Sequence, residues 1–510
     1  MRRLAFATAL VAVLLSACDT GADAPAASTD AATARAASRL SLTIGPERPL
    51  NGVAFGYNID ATIRGVARDG GPYTSALAAL QPGTIRFPGG TIANYWDWEA
   101  GDFVCDGRTS QFELVSGERR ACELPNGYQS LDPPRHTLDA FAVEVAATGA
   151  TPVFVANLLT RRVGQAETNL ESTLRMLREA AALGLEVRYL ELGNEFYLGN
   201  GERDASDDYG SAYPSVASYV DAVGRWVPPL REAFPGLEIA ALGADRPTES
   251  PRRRAWDDSL AVLLDALPAA ARPDAVTLHP YAGGTADVPT LLTLGQRKAE
   301  NLTRYRFARL PRHYDVWLTE YNMFTRDAAV HGTWAHGLLA ASMTLNFLDD
   351  SRVTLLHVHS GIGNAVFGSL FRDAAGFDFG SSSFPTPPDG PASTVPFGRT
   401  ASGWTLQLVA QAMRGATTAA PLDLGPGVPT LPDGYDGIEG WAFGDGAVLL
   451  NLTDGAVSLD GTAFRGAPFT SRSADALARP DGRDGGVSER TGRVGKALRL
   501  PPYSVTRIGA

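Results

Sequence analysis

Two glutamates stand where a reaction would need them. Glu195 closes the stretch Val187-Arg-Tyr-Leu-Glu-Leu-Gly-Asn-Glu195 and is followed by Phe196 and Tyr197. Glu320 closes Asp315-Val-Trp-Leu-Thr-Glu320 and is followed by Tyr321 and Asn322. In each, an apolar run of single-strand length stops at a carboxylate. The carboxyl end of a buried parallel strand is where an α/β barrel keeps its reactive groups. Two carboxylates at two such ends are the pair that breaking a glycosidic bond requires. One protonates the leaving oxygen, and the other attacks the sugar or activates water. A single glutamate after a strand is usually a solvated loop residue. The paired occurrence, with aromatics and amides at each flank that could contact a sugar, favours the reactive reading.

For that pair to meet, the chain must build the barrel. Residues 53–58, 84–87, 152–157, 187–192, 237–243, 275–281, 316–320 and 353–359 read as strands. Helical periodicity covers 73–80, 137–148, 170–183, 215–234, 288–309, 334–348 and 403–414, and this alternation implies βα units and a parallel sheet. The expected fold is therefore α/β: a (β/α)8 TIM barrel over 51–414 with a C-terminal all-β sandwich over 415–510. In that last segment Gly/Asp turns separate short strand-like runs and helical periodicity stops. A strand within 40–50 is expected to join the β-domain. The Gly/Ser/Pro/Phe-rich stretch 361–400 carries five phenylalanines between 367 and 384, and reads as a cleft wall or as a loop folded over the rim.

The formal net charge of −11, with 20% charged residues and no basic stripe, argues against a nucleic-acid partner. Arg2 and Arg3 precede an apolar run over 4–15 that is too short to span a bilayer and fits a signal peptide over 1–17. Leu15-Ser-Ala-Cys18 resembles a bacterial lipobox, which implies a lipidated Cys18 and a flexible tether over 18–39; a plain signal peptide is the alternative. The expected location is the bacterial cell envelope, periplasmic or extracellular, with membrane contact through the lipid anchor alone. Cys105 and Cys122 then remain as an even pair, expected to form a disulfide in an oxidising compartment, with two free thiols as the alternative.

Asn194-Glu195 after the fourth strand and Glu320 after the seventh resemble the signature of clan A glycoside hydrolases, retaining (β/α)8 enzymes. Arg86-Phe-Pro-Gly-Gly90 is similar to the second-strand motif of family 51 α-L-arabinofuranosidases. Thr319-Glu-Tyr-Asn322 is similar to the nucleophile strings of families 51 and 39, and Leu500-Pro-Pro-Tyr-Ser-Val-Thr506 to the last β-domain strand of family 51. Glu191-Leu-Gly-Asn-Glu195 also resembles the family 79 β-glucuronidase and heparanase string. The resemblance implies Glu195 as acid/base, Glu320 as nucleophile, and a carboxyl separation of about 5–5.5 Å. Tyr321 stands where family 51 usually has Trp, and neither residues 196–198 nor the segment holding the two cysteines fits that family. The sugar is therefore open among arabinofuranoside, β-glucuronide, β-glucan and xylan.

Further roles follow physically. Glu320 must be ionised to attack, so Arg86 and Tyr281 are candidates to hold its charge. Asn194 is expected at the sugar 2-hydroxyl, and Asn58, at the end of the first strand, and His279 are expected to bind substrate in the pocket. Trp96 and Trp98 are candidates to stack on a sugar, with a plug at the barrel top as the alternative for one of them. Glu191 reads as half of a buried ion pair or as a substrate contact. His357 and His359 read as hydrogen-bonding groups in the barrel, since no carboxylate or cysteine is spaced with them to complete a metal site. No cofactor or metal is expected. The chain has no Gly-x-Ser-x-Gly elbow and no phosphate-binding Gly-x4-Gly-Lys loop. A non-catalytic carbohydrate-binding lipoprotein and a polysaccharide lyase are the rival classes.

Overall fold

The computed structural model describes residues 39–50, 54–59, 70–105, 111–123, 136–199, 206–244, 250–324, 328–363, 367–371, 397–480 and 486–509. The expected signal peptide, Cys18, the expected tether up to residue 38 and most of the 361–400 stretch lie outside them.

Eight strands form the central sheet: β1 (Ala54–Asn58), β2 (Thr84–Phe87), β3 (Thr151–Ala156), β4 (Tyr189–Leu192), β5 (Glu238–Leu242), β6 (Ala275–Thr277), β7 (Asp315–Met323) and β8 (Val353–His359). Each is parallel to its neighbours, and the pairing of β8 with β1, His359 opposite Asn58, closes the cylinder. A helix follows every strand: α1 (Pro72–Ala79), α2 (Leu138–Thr148), α3 (Asn169–Ala182), α4 (Val216–Ala233), α5 (Pro251–Ala266), α6 (Val288–Tyr305), α7 (Trp334–Phe347) and α8 (Ala401–Met413). Their starts are set locally. Thr137, Thr168, Ser215 and Thr333 cap free backbone N–H groups, and Thr168 with Glu171 forms a complete capping box. α5 has no counterpart in the sequence reading. Its start, Pro-Arg-Arg-Arg, masks the apolar spacing, yet Trp256, Leu260 and Leu264 recur every fourth position and are its buried face.

Strand alternation sorts the barrel residues. Val153, Tyr189, Ala240, Ala275, Trp317 and Leu355 form one inward layer, in which the Tyr189 and Trp317 rings meet edge-to-face at 5.4 Å. This apolar plug fills the barrel floor, and two residues further along β4, β6, β7 and β8 the polar Glu191, Thr277, Thr319 and His357 follow.

The carboxyl-terminal part is an antiparallel sheet of β9 (Thr418–Asp423), β10 (Ile438–Phe443), β11 (Gly446–Asn451), β13 (Pro468–Ser473), β14 (Ser488–Arg493) and β16 (Ser504–Ile508), in the order β9-β10-β11-β16-β13-β14. β12 (Val457–Asp460) and β15 (Ala497–Leu500) form a separate ribbon. Thr43–Ile44 and Arg48–Pro49 both pair with β9, so the segment before the barrel is spliced into this sheet. Along β11, Ala447 and Leu449 pack into a small core with the ribbon residues Leu459, Leu498 and Leu500, whereas Val448 and Leu450 join the barrel core. Both faces are thereby covered, and α7 and α8, wedged between barrel and sheet, are buried almost all round.

Cys105 and Cys122 are joined in a disulfide. It closes a hairpin, Gln111–Leu114 with Arg119–Ala121, that pairs with Thr160–Arg162 beyond β3.

Candidate active site

Two backbone irregularities aim the glutamates. On β7, Leu318 pairs with Leu356 and Tyr321 with Val358, so β7 uses one more residue than β8 over this interval. Strict alternation would turn Glu320 outward with Leu318; this bulge turns it into the mouth. On β4, pairing with β3 ends at Leu192, and the chain turns through Gly193 at φ 91° to Glu195 at φ 52°. A Cβ at Gly193 would lie 2.3 Å from the Phe196 ring. A left-handed glutamate costs about 1 kcal/mol or more, so its surroundings must over-determine it. Phe196 is fully buried and stacks on Tyr213 at 4.6 Å, and the Leu198 N–H closes the turn on the Glu195 carbonyl at 2.9 Å. The sequence reading offered this flanking aromatic as a possible sugar contact; it is instead the peg that holds the turn.

Glu320 is surrounded by donors. Its Oε1 accepts from Arg86 Nη1 at 2.6 Å and Asn58 Nδ2 at 3.3 Å, and its Oε2 from the Tyr281 hydroxyl at 2.9 Å. Nδ1 of His279 and of His359 each lie 3.9 Å from Oε2. Burial alone would raise the pKa of this carboxyl, but His279, Arg86 and His359 together outweigh it and hold it below the ordinary value. Gly90 is the other requirement: a Cβ there would stand 2.4 Å from Glu320 Oε1.

Arg86, wholly buried, bridges two acids. Beyond Glu320 it donates to Glu191 from Nε at 3.0 Å and from Nη2 at 2.8 Å, and from Nη2 to Asn194 Oδ1 at 2.9 Å. Glu191 is thus one half of an interior ion pair. Asn194 is fully buried, and its Nδ2 has no hydrogen-bond partner among the described residues.

Glu195 Oε1 accepts from the Tyr197 hydroxyl at 3.0 Å and lies 3.1 Å from His279 Nδ1. The other His279 nitrogen is 3.2 Å from Thr319 Oγ1. Burial opposes charge on His279, but Glu320 and the hydrogen bond to Glu195 prevail and its pKa is raised. One ligand atom each from Glu195, His279 and Glu320 lies within 4.8 Å of the other two. The set resembles a metal cluster, but the Arg86 guanidinium at 2.6 Å from Glu320 already supplies the cation that such a group would attract.

Asn58, Arg86, Asn194, Glu195, His279, Tyr281 and Glu320, all marked in the sequence, therefore share one mouth. His359 joins them through Asn58 Nδ2 at 2.7 Å. His357 lies deeper, bonded to Thr84 Oγ1 at 2.7 Å, and burial pushes its pKa down to about 3. Trp96 departs from the sugar-stacking expectation. The residue is 6% exposed, its ring packed edge-to-face on Phe87 at 6.5 Å and Phe103 at 5.6 Å. The cavity beside it, about 40 Å³ and lined by Asn157 and Asn169 among others, suits water rather than a sugar ring. Trp98 is taken up by Arg175, whose guanidinium lies 4.8 Å over its ring. The mouth finds aromatic surface elsewhere. Phe324 is 43% exposed and stacks on Phe367, whose ring is 5.1 Å from His359. Phe324 escaped the sequence reading because it lies just past the strand; Phe367 belongs to the stretch expected to wall the cleft.

The same architecture occurs in solved structures. An α-L-arabinofuranosidase from Thermotoga maritima, in an arabinose complex, matches with a TM-score of 0.59 at 15% identity, over 92% of this chain and 99% of that one. A family 51 α-L-arabinofuranosidase from Bifidobacterium longum matches with a TM-score of 0.60 at 13% identity, over 92% and 98%. These proteins share one fold. A 4-O-α-L-rhamnosyl-β-D-glucuronidase from Fusarium oxysporum matches as well, at 0.57 and 15% identity, over 92% and 100%. No protein-family model and no curated protein matches the chain. At such identities the likeness concerns the fold, a parallel barrel with an antiparallel β-domain, and function rests on the site.

Proposed function

We propose that this protein is a retaining glycoside hydrolase, exported and anchored by a lipid on Cys18. The reading rests on one observation: carboxylate oxygens of Glu195 and Glu320 within 4.8 Å of each other at the mouth of a closed barrel. Such an approach between one oxygen of each fits the carboxyl spacing of about 5–5.5 Å in retaining enzymes better than the about 6.5–9.5 Å that inverting enzymes keep for a water.

In the proposed reaction an ionised Glu320 oxygen attacks the anomeric carbon while the leaving oxygen takes a proton from Glu195. The product is a glycosyl ester on Glu320 and a free alcohol. Water, deprotonated by Glu195, then attacks the same carbon and releases Glu320 with the original anomeric configuration. The environments suit these roles. Glu320 has a cation, a phenol and an amide on its oxygens, which favour its charged form. Glu195 shares a hydrogen bond with His279 that can hold the transferable proton. The unpaired Asn194 Nδ2 is a donor for the sugar 2-hydroxyl, a contact that strengthens as the oxocarbenium-like state forms.

The structural neighbours named for arabinofuranosides and a glucuronide direct the first trials. The test is a panel of nitrophenyl α-L-arabinofuranosides, β-D-glucuronides, β-D-glucosides and β-D-xylosides, beside plant and marine polysaccharides. Proton NMR of the first-formed product is expected to show retained configuration; an inverted product would overturn double displacement. For the anchor, replacing Cys18 with Ser should move the protein from the membrane fraction to the soluble one, and unchanged partitioning would refute it.

A further inference from the structure

Asn94 does something specific beside Glu195. It lies in the short helical turn Thr91–Tyr95 after Gly90 and is fully buried. Its side-chain amide grips both backbone groups of Asn194. The Asn194 N–H donates to Asn94 Oδ1 at 3.1 Å, and Asn94 Nδ2 donates to the Asn194 carbonyl at 2.8 Å. A carboxamide presents the same donor and acceptor as a peptide unit. Asn94 therefore stands in for a strand neighbour just past the point where β4 stops pairing with β3.

Asn94 is itself tethered. Its Nδ2 also donates to the Tyr209 hydroxyl at 3.0 Å, and its carbonyl accepts from Thr160 Oγ1 at 2.7 Å. Thr160 begins the strand that pairs with the disulfide-closed hairpin, and Arg120 of that hairpin bonds Asp208 next to Tyr209. The segment foreign to family 51 thus buttresses the residue that grips the turn. The carbonyl held by Asn94 belongs to the peptide that leads into Glu195, whose left-handed backbone the local sequence disfavours.

We propose that Asn94 is a positioning residue for proton transfer: by clamping the Asn194 peptide it fixes the Glu195 carboxyl against the leaving oxygen. This rests on the reading of Glu195 as acid/base. A displaced acid harms substrates that need protonation of their leaving group and spares those that do not.

The test uses the full chain with Asn94→Ala and the near-isosteric Asn94→Asp, which turns the amide donor into an acceptor facing the Asn194 carbonyl. kcat/KM is measured on dinitrophenyl and phenyl glycosides of the sugar identified by the panel. With the phenyl leaving group a fall of about fiftyfold is expected, and with dinitrophenyl about threefold or less. An equal fall on both, or none on either, overturns the proposal. Glu195→Gln separates the two readings. If it lacks the leaving-group dependence, the acid/base role of Glu195 fails; if it has the dependence and the Asn94 variants lack it, only the Asn94 assignment fails. A crystal structure of Asn94→Ala should show the 194–195 peptide turned and Glu195 drawn away from His279, and an unmoved peptide is equally fatal.

Discussion

Glu320 is buried and Glu439 largely so, yet their protons behave in opposite ways. Glu320 sits among Arg86, His279 and His359 and is held below the ordinary carboxylate pKa. Glu439, on β10 against α7, has no cation among its partners. Burial is the main effect, hydrogen bonds from Ser342 and Asn346 offset it only in part, the negative Asp349 and Asp436 add to it, and its pKa is pushed up to about 7. Among the described residues one of its oxygens has no partner and the other accepts from Asn346 Nδ2 at 2.6 Å. Burial is thus not what makes a carboxylate reactive. The partners decide, and of these two sites the mouth is the one that supplies a set that keeps the charge in place.

The sharpest way to break this contrast is to neutralise each acid in turn. Glu320→Gln should lower kcat by at least about 10³-fold, as loss of a nucleophile does, whereas Glu439→Gln should leave kcat within about twofold. Comparable losses in both would remove the distinction. Next is the cation that separates them. Arg86→Met strands Glu191 and Glu320 without a counter-charge and should cost about 3–5 kcal/mol in urea unfolding, besides activity.

A smaller effect is expected from Tyr281→Phe, which removes one hydrogen bond to a charged group. It should cost about 1.5–3 kcal/mol of transition-state stabilisation, read as roughly a ten- to hundredfold fall in kcat/KM, with the acid limb of the pH profile moved upward. The last prediction concerns pH. From about 4.5 to about 7 the folded state keeps a proton on Glu439 that the unfolded chain has released, so stability falls as pH rises through that window. The loss should be of the order of 2 kcal/mol given the partial exposure of this side chain, and Glu439→Gln should flatten it. Glu320 has the opposite sign: its contribution is present above the ordinary carboxylate range and is lost as pH falls below it.

The barrel was legible because each of its strands is a local apolar run with its own turn signals. β2 and β8 match their sequence ranges residue for residue. β14, Ser-Glu-Arg-Thr-Gly-Arg, was not legible: an exposed edge strand carries no apolar alternation, and only its pairing with β13 makes it a strand. Trp96 stays open between stacking and plugging in sequence for a related reason. Sequence shows that a tryptophan follows a loop, but not that Phe87 and Phe103 enclose it.

The amino-acid order by itself determined that two glutamates lie near the ends of two buried strands, that an arginine lies near the end of another, and that helices return the chain between them. These follow from side-chain periodicity and turn residues within a few positions of one another. Only the folded chain decided that a bulge turns Glu320 inward, that Arg86 joins Glu191 to Glu320 across 105 and 234 positions, and that Asn94 grips a peptide 100 residues away. Such contacts depend on where ring closure sets each strand, and no neighbouring residue encodes that distance.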